Sequence, residues 1–203
     1  MKKLVLASAS PRRESLLKML GFSFSICITD IDETIPEELS PKEAVERLSL
    51  EKAKAAATGR SEEIIIAADT IVALDGIIFG KPADKNDAFQ ILKALSGREH
   101  SVFTGVTVYE PFSNKTLTRV CETKVKMRKL TDEQIIAYIA TGEPMDKAGA
   151  YGIQGYAACF VEGINGCYFN VMGLPLAALS EMLEKFEVYI TDNWEKLTIR
   201  QED

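Results

Sequence analysis

Ile64-Ile-Ile-Ala-Ala68, followed at once by Asp69-Thr70, is the stretch from which the fold is read. An unbroken apolar run of strand length, without polar alternation, predicts a central strand covered on both faces. Downstream, Ile71 to Leu74, Asp75-Gly76 and Ile77 to Phe79 predict a hairpin closed by a two-residue turn. Upstream, Leu4-Val-Leu-Ala7 predicts a strand that passes through Ser8-Ala-Ser10 into a helix over about 11–20. Ser10 is placed to cap that helix, Pro11 suits its first position and Gly21 ends it.

Working outward, the pattern keeps alternating. A strand is expected near 22–29, then the acidic loop Thr29-Asp-Ile-Asp-Glu-Thr-Ile-Pro36. Ser40-Pro-Lys-Glu43 is a capping box opening a helix to about Thr58, with Ala44, Val45, Leu48 and Ala55 as its apolar stripe. Asp84 caps a helix over 85–95, and strands follow near 101–110 and 117–129. Thr131 caps a helix that Gly142 ends, and the glycine-rich Asp146–Gly155 segment is too irregular for a regular element. Strands near 157–162 and 168–171 and a helix over about 175–186 complete the reading. Strands alternating with helices, together with hairpins, predict an α/β protein with a mixed sheet. The boundaries are a single bilobal domain over 1–187 and a polar tail over 188–203, expected to be frayed or partner-dependent.

At 203 residues, 46% hydrophobic and 27% charged, the chain suits one well-cored domain rather than a disordered segment. A net charge of −6 disfavours nucleic-acid binding, so any anion site must be a local basic pocket for a small ligand. Cys27, Cys121, Cys159 and Cys167 form no C-x-x-C and His100 is the only histidine, which argues against zinc and against histidine-based catalysis. The cysteines read as reduced packing residues. No signal-peptide pattern and no apolar run near 18 residues occurs, which predicts a cytoplasmic protein without membrane association.

Chemistry concentrates at a few points. Ser8, Ser10, Arg12 and Arg13 converge on a helix start, where the dipole favours anions and where paired arginines fit a bound phosphate chain. Solvated surface arginines are the alternative. Asp69 stands where the apolar strand ends, the usual ligand crevice of an α/β sheet, although a turn aspartate would look the same. Thr70 beside it can hydrogen-bond a ligand or simply open the next strand. Lys81 is held between Gly80 and Pro82, while Lys52 and Lys54 lie on a helix, where lysines are usually solvated. Asp32 and Glu33, with Asp69, offer oxygen ligands for Mg²⁺ or Mn²⁺, or form an ordinary acidic loop. Gly149-x-x-Gly152-x-x-Gly155 is no dinucleotide fingerprint; it marks a mobile or closely approached loop in which Gln154 has the donor and acceptor of a base-edge reader. Cations for a polyphosphate, carboxylates for a metal and water, and an amide in a glycine loop fit phosphoanhydride hydrolysis.

Ser8-Ala-Ser-Pro-Arg-Arg13, Glu51-Lys-Ala53, Ala67-Ala-Asp-Thr70, Gly80-Lys-Pro82, Ser96-Gly97, Asp146–Gly155 and Gly173-Leu-Pro175 resemble, in order, the motifs of the Maf family of nucleoside triphosphate pyrophosphatases. The resemblance spans about residues 4–186. It implies the fold of inosine triphosphate pyrophosphatases, an elongated mixed sheet flanked by helices, with two lobes and a central cleft. It also implies hydrolysis of a nucleoside triphosphate to monophosphate and pyrophosphate with a divalent metal. Pro11-Arg12-Arg13, Ala68-Asp69-Thr70 and Ile153-Gln154-Gly155 match the branch acting on dTTP and UTP, including modified pyrimidine triphosphates; the 7-methyl-GTP branch carries Trp, Gln and Glu at the three sites. By this resemblance Asp69 is the proton acceptor, and Arg12, Thr70 and Gln154 set base preference. Ser8, Arg13, Lys52 and Lys81 hold phosphates, and Glu33 assists Asp69 with metal. Cys167 for the frequent Ser and Phe79 for the usual Leu depart from the pattern without touching these residues. The family's name suggests a second reading, a nucleotide-binding regulator of septum formation acting through protein contacts. A homodimer is compatible with the family and is not indicated by the chain itself.

Overall fold

The computed structural model describes residues 2–36, 38–192 and 194. Its sheet contains β1 (Lys3–Ala7), β2 (Phe24–Ile26), β3 (Glu63–Leu74), β4 (Ile77–Phe79), β5 (Glu99–Glu110), β6 (Lys115–Met127) and β7 (Val161–Asn165). The strand order is β2-β1-β3-β5-β6-β7, with β4 also on β3. β1 is parallel to β2 and β3, whereas β5, β6, β7 and β4 pair antiparallel, so the sheet is mixed as expected. Flanking it are α1 (Pro11–Met19), α2 (Pro41–Ala56), α3 (Lys85–Leu95), α4 (Asp132–Ala140), α5 (Tyr168–Val171) and α6 (Leu176–Glu184).

The central strand is longer than the apolar run that announced it. β3 continues through Asp69 and Thr70 to Leu74, so Asp69 lies inside the strand rather than at its end. The reason is its partners. On one side β5 pairs with β3 from Ile65 to Ala73. On the other, β1 pairs only as far as Ala67 and β4 begins at Val72. Residues 68–71 therefore face a gap between two partner strands, and that gap is the floor of the cleft.

Both faces of β3 are covered. Ile64, Ile66 and Ala68 pack with Leu16 and Leu17 of α1 and Leu179, Met182 and Leu183 of α6. Ile65 and Ala67, with Val5 and Ala7, meet Ala53 and Ala56 of α2. Beyond the gap a separate core joins Val72 and Leu74 to Ile91, Leu92 and Leu95 of α3 and to Ile135, Tyr138 and Ile139 of α4. On the face of β3 that Thr70 shares, the core of α1 and α6 thus ends at Ala68 and the core of α3 and α4 begins at Val72.

Local signals mostly hold. Ser40 with Glu43 and Thr131 with Gln134 form complete capping boxes, and Asp84 accepts from Asp87 N–H. Asp75 and Gly76 both have positive φ, 52° and 82°, as a tight hairpin turn of this hand requires. Three expectations are corrected. Ser10 occupies the N-cap position of α1 without a side-chain bond, and Ser8 Oγ accepts the Ser10 N–H instead. The strand near 22–29 shrinks to three residues, since only Phe24–Ile26 reach β1. Residues 157–162 are mostly a 3-10 turn, and 168–171 form α5, because Cys167 turns back onto Thr123 of β6 through two backbone–hydroxyl bonds. At the C-terminus Phe186 and Val188 are still in the core. Of the proposed tail, residues 193 and 195–203 lie outside the described residues.

Candidate active site

Because side chains alternate along a strand, Asp69 and Thr70 point to opposite faces of the sheet. Asp69 faces α2. Val45, Ser49 and Lys52 recur on one side of that helix at positions i, i+4 and i+7. Val45 O comes so close to Gly105, the β5 partner of Asp69, that a Cβ there would stand 2.2 Å away. Ser49 Oγ shares a hydrogen bond of 3.0 Å with Thr107. Lys52 Nζ then donates to Asp69 Oδ1 at 2.6 Å and also reaches Glu33 Oε1 at 2.8 Å. Lys52 and Asp69 are 8% and 7% exposed, so this lysine is not the solvated helix residue its position suggested. It lies one turn beyond Leu48 on the apolar stripe, a signal that was available in the sequence.

Thr70 faces α1. Arg13 donates from Nη2 to Thr70 Oγ1 at 2.9 Å, from Nε to Gly173 O at 2.8 Å and from Nη1 to Ser8 Oγ at 3.4 Å. Thr104 donates onward to Asn170 O, which leaves the Thr70 hydroxyl to donate to Thr104. Burial lowers the pKa of Arg13, an effect that Asp69 opposes, yet a guanidinium starts so high that it stays charged. Its bonds hold the plane still and leave N–H donors on both terminal nitrogens for an anion.

Around this floor a cleft of about 470 Å³ opens, within the roughly 300–1,000 Å³ usual for small-molecule sites. Ser8, Arg12, Arg13, Glu33, Lys52, Asp69, Thr70, Lys81 and Gln154 all line it. Arg12 reaches across to Asp146 at 3.3 Å. Lys81 and Gln154 are exposed, and Lys81 makes no ion pair among the described residues. Asp32 is not brought in: it is exposed and its carboxylate accepts the Thr34 N–H at 2.9 Å. Burial works against ionisation of Glu33, but Lys52, Lys81 and Arg13 outweigh it and hold its carboxyl below the ordinary range.

For a divalent cation the donor set fits in a restricted sense. Asp69 and Glu33 converge on one ammonium, so a hard cation has two carboxylates within one small space. Among the described residues no group of three or more acidic, histidine or cysteine side chains is suited to a metal. Mg²⁺-type sites of this kind complete their shell with water and substrate phosphate.

Sequence reasoning missed the partner of Arg12, Asp146, and the neighbouring Lys147, whose Nζ bonds Asp146 at 2.6 Å within the cleft. Both stood in a quoted motif, where nothing pointed to their pairing. The glycine loop resolves as closely approached: a Cβ on Gly149 would lie 2.8 Å from Val72, and Gly149 N–H bonds Gly80 O beside Lys81.

A family model described as Maf-like protein matches residues 3–186. A dTTP/UTP pyrophosphatase of Pelotomaculum thermopropionicum is 50% identical over 186 residues, covering 92% of this chain and 97% of that protein. A dTTP/UTP pyrophosphatase of Acetivibrio thermocellus is 48% identical over 197 residues, covering 94% and 98%. Among solved structures, the Ham1 protein of Staphylococcus aureus aligns with a TM-score of 0.45 at 17% identity, over 62% of this chain and 72% of that one.

Proposed function

The chain belongs to the Maf-like protein family, and from that premise we propose that it hydrolyses dTTP and UTP to the nucleoside monophosphate and pyrophosphate. The observation that carries the reading is the buried Lys52–Asp69 pair at the gap in the sheet, with Arg13 fixed on the other face and Lys81 at the rim. Full-length relatives with this activity in their names support the choice of substrates.

The residues divide the work. Arg13, Lys81 and Ser8 hold the phosphate chain, and Lys52 adds positive charge beside it. Asp69 Oδ2, the oxygen not bonded to Lys52, accepts a proton from water as the water oxygen bonds to the α-phosphorus. The α–β bridging bond breaks and pyrophosphate leaves, so each water consumed yields one monophosphate and one pyrophosphate. Positioning and charge neutralisation carry most of the barrier lowering in such transfers. A divalent cation would be held by Asp69 and Glu33 and would neutralise phosphate charge. Gln154 and Arg12 meet the base end, and Thr70 contributes by fixing Arg13 rather than by touching the base.

The alternative of a regulator acting only through protein contacts is not favoured. A binder has no need to bury a lysine–carboxylate pair beside its phosphate cations, because such burial is expensive to maintain. The small-molecule substrate also agrees with a net charge of −6, and among the described residues no helix is long and apolar enough to cross a membrane. A panel of nucleoside triphosphates with product analysis tests the reading. We expect dTTP and UTP to be turned over fastest, with pyrophosphate released. Release of orthophosphate would refute the cleavage point, and a preference for purine triphosphates would refute the substrate assignment.

A further inference from the structure

The segment bearing Gln154 belongs to no strand or long helix, yet one acid pins its backbone on both sides. Glu143 Oε1 accepts the Tyr138 O–H at 2.7 Å, and the Tyr138 oxygen accepts the Gly152 N–H at 3.2 Å. Glu143 Oε2 accepts the Tyr156 N–H at 2.9 Å. Gln154 stands midway between these two anchored amides. Neither Glu143 nor Tyr138 lines the cleft, so neither is placed to meet a substrate directly.

The glycine spacing answers to the same acid. A Cβ on Gly155 would stand 2.3 Å from Glu143 Oε2, and one on Gly152 would stand 2.8 Å from Lys147 Cε. Lys147 in turn donates to the Glu143 carbonyl at 2.6 Å. Glycine at 152 and 155 therefore lets the loop lie directly on the Glu143–Lys147 pair. Burial and the Glu143 bond both push the Tyr138 hydroxyl well above its ordinary pKa, so it remains a donor to the acid. Ile153, beside Gln154, is anchored in the core that Tyr138 shares.

We propose that Glu143, together with Tyr138, is a positioning residue for base selection: it fixes the backbone on either side of Gln154 so that the amide meets a pyrimidine edge in register. The inference rests on reading Gln154 as the base contact. A side-chain amide discriminates only within narrow hydrogen-bond angles, so a loosened loop loses discrimination. Asp69 and Lys52 stand on other elements, β3 and α2.

The test compares kcat and KM for dTTP, UTP and dGTP in the wild type, Glu143→Ala, Glu143→Gln, Tyr138→Phe, Gln154→Ala and the Glu143→Ala/Gln154→Ala double variant. In Glu143→Ala the pyrimidine-over-purine ratio of kcat/KM should fall about tenfold, through KM more than kcat. Glu143→Gln should largely restore it, since a carboxamide oxygen still accepts the Tyr156 N–H. The double variant should be no worse than Gln154→Ala, because the acid acts through that residue. Should Glu143→Ala not fold, Tyr138→Phe carries the test, with a fall of about threefold from losing one of the two anchors. An unchanged ratio in Glu143→Ala and Tyr138→Phe beside an altered one in Gln154→Ala overturns the positioning role alone. An unchanged ratio in Gln154→Ala removes the base reading and this inference together. A collapse of kcat at constant ratio would mean that Glu143 is only structural.

Discussion

Lys52 carries a charge to a position where the helix pattern calls for an apolar side chain. Its four methylenes lie along the stripe begun by Val45 and Leu48, and its ammonium meets Asp69. Neither ion would tolerate burial alone; removing one partner of such a pair typically costs about 3–5 kcal/mol. The arrangement keeps a carboxylate and a cation together on the wall of the cleft. His100 is the opposite case, a buried group without a charge partner. Its Nε2 meets the Tyr151 hydroxyl at 2.8 Å, and burial lowers its pKa from 6.5 to about 4. Between those values the unfolded chain binds a proton that the folded protein does not, so stability rises with pH across that window. Chemical denaturation should show about 3 kcal/mol lost from this group as pH falls from 6.5 to about 4. His100→Leu should flatten the slope there, and an identical slope in the variant would contradict the assignment.

At the scale of elements, the site depends on how closely α2 lies on the sheet. Gly105 makes room for Val45 O, and the next two turns then set Ser49 on Thr107 and Lys52 on Asp69. Gly105→Ala should lift the helix, cost about 1–3 kcal/mol in denaturant midpoint analysis and reduce kcat while the protein still folds. Wild-type kcat in a folded Gly105→Ala protein would show that the seat of α2 is immaterial. This dependence was not legible beforehand: a glycine inside a strand signals a close approach, but nothing local says by what. Capping boxes, glycine stops and the Asp75-Gly76 turn were legible because each depends on residues within a few positions. Residues 168–171 form a helix instead of the expected strand because Cys167 bonds to Thr123, far away in sequence, and a long-range contact overrides local strand preference. Asp69 owes its place to the neighbouring strands and not to the end of its own. The apolar run stops before it, but the strand does not; the gap between β1 and β4 makes it accessible.

Across the whole molecule, one face of β3 passes from the core of α1 and α6 to that of α3 and α4, and the cleft falls between them. The motifs quoted from the sequence are scattered from Ser8 to Pro175, and the fold brings Ser8, Arg13, Lys52, Asp69, Lys81 and Gln154 to a single cavity. A protein of net charge −6 thus gathers Arg12, Arg13, Lys52, Lys81 and Lys147 around one cavity. Cross-cleft pairs such as Arg12–Asp146 depend on tertiary juxtaposition, and no spacing along the chain encodes them. The account turns on Asp69 as the group that takes the proton from water. Steady-state turnover of dTTP by Asp69→Asn, measured as pyrophosphate release beside a binding isotherm, tests it most directly. The expected result is a loss in kcat of about 10³-fold or more with dTTP still bound, whereas turnover within about tenfold of the wild type would contradict it.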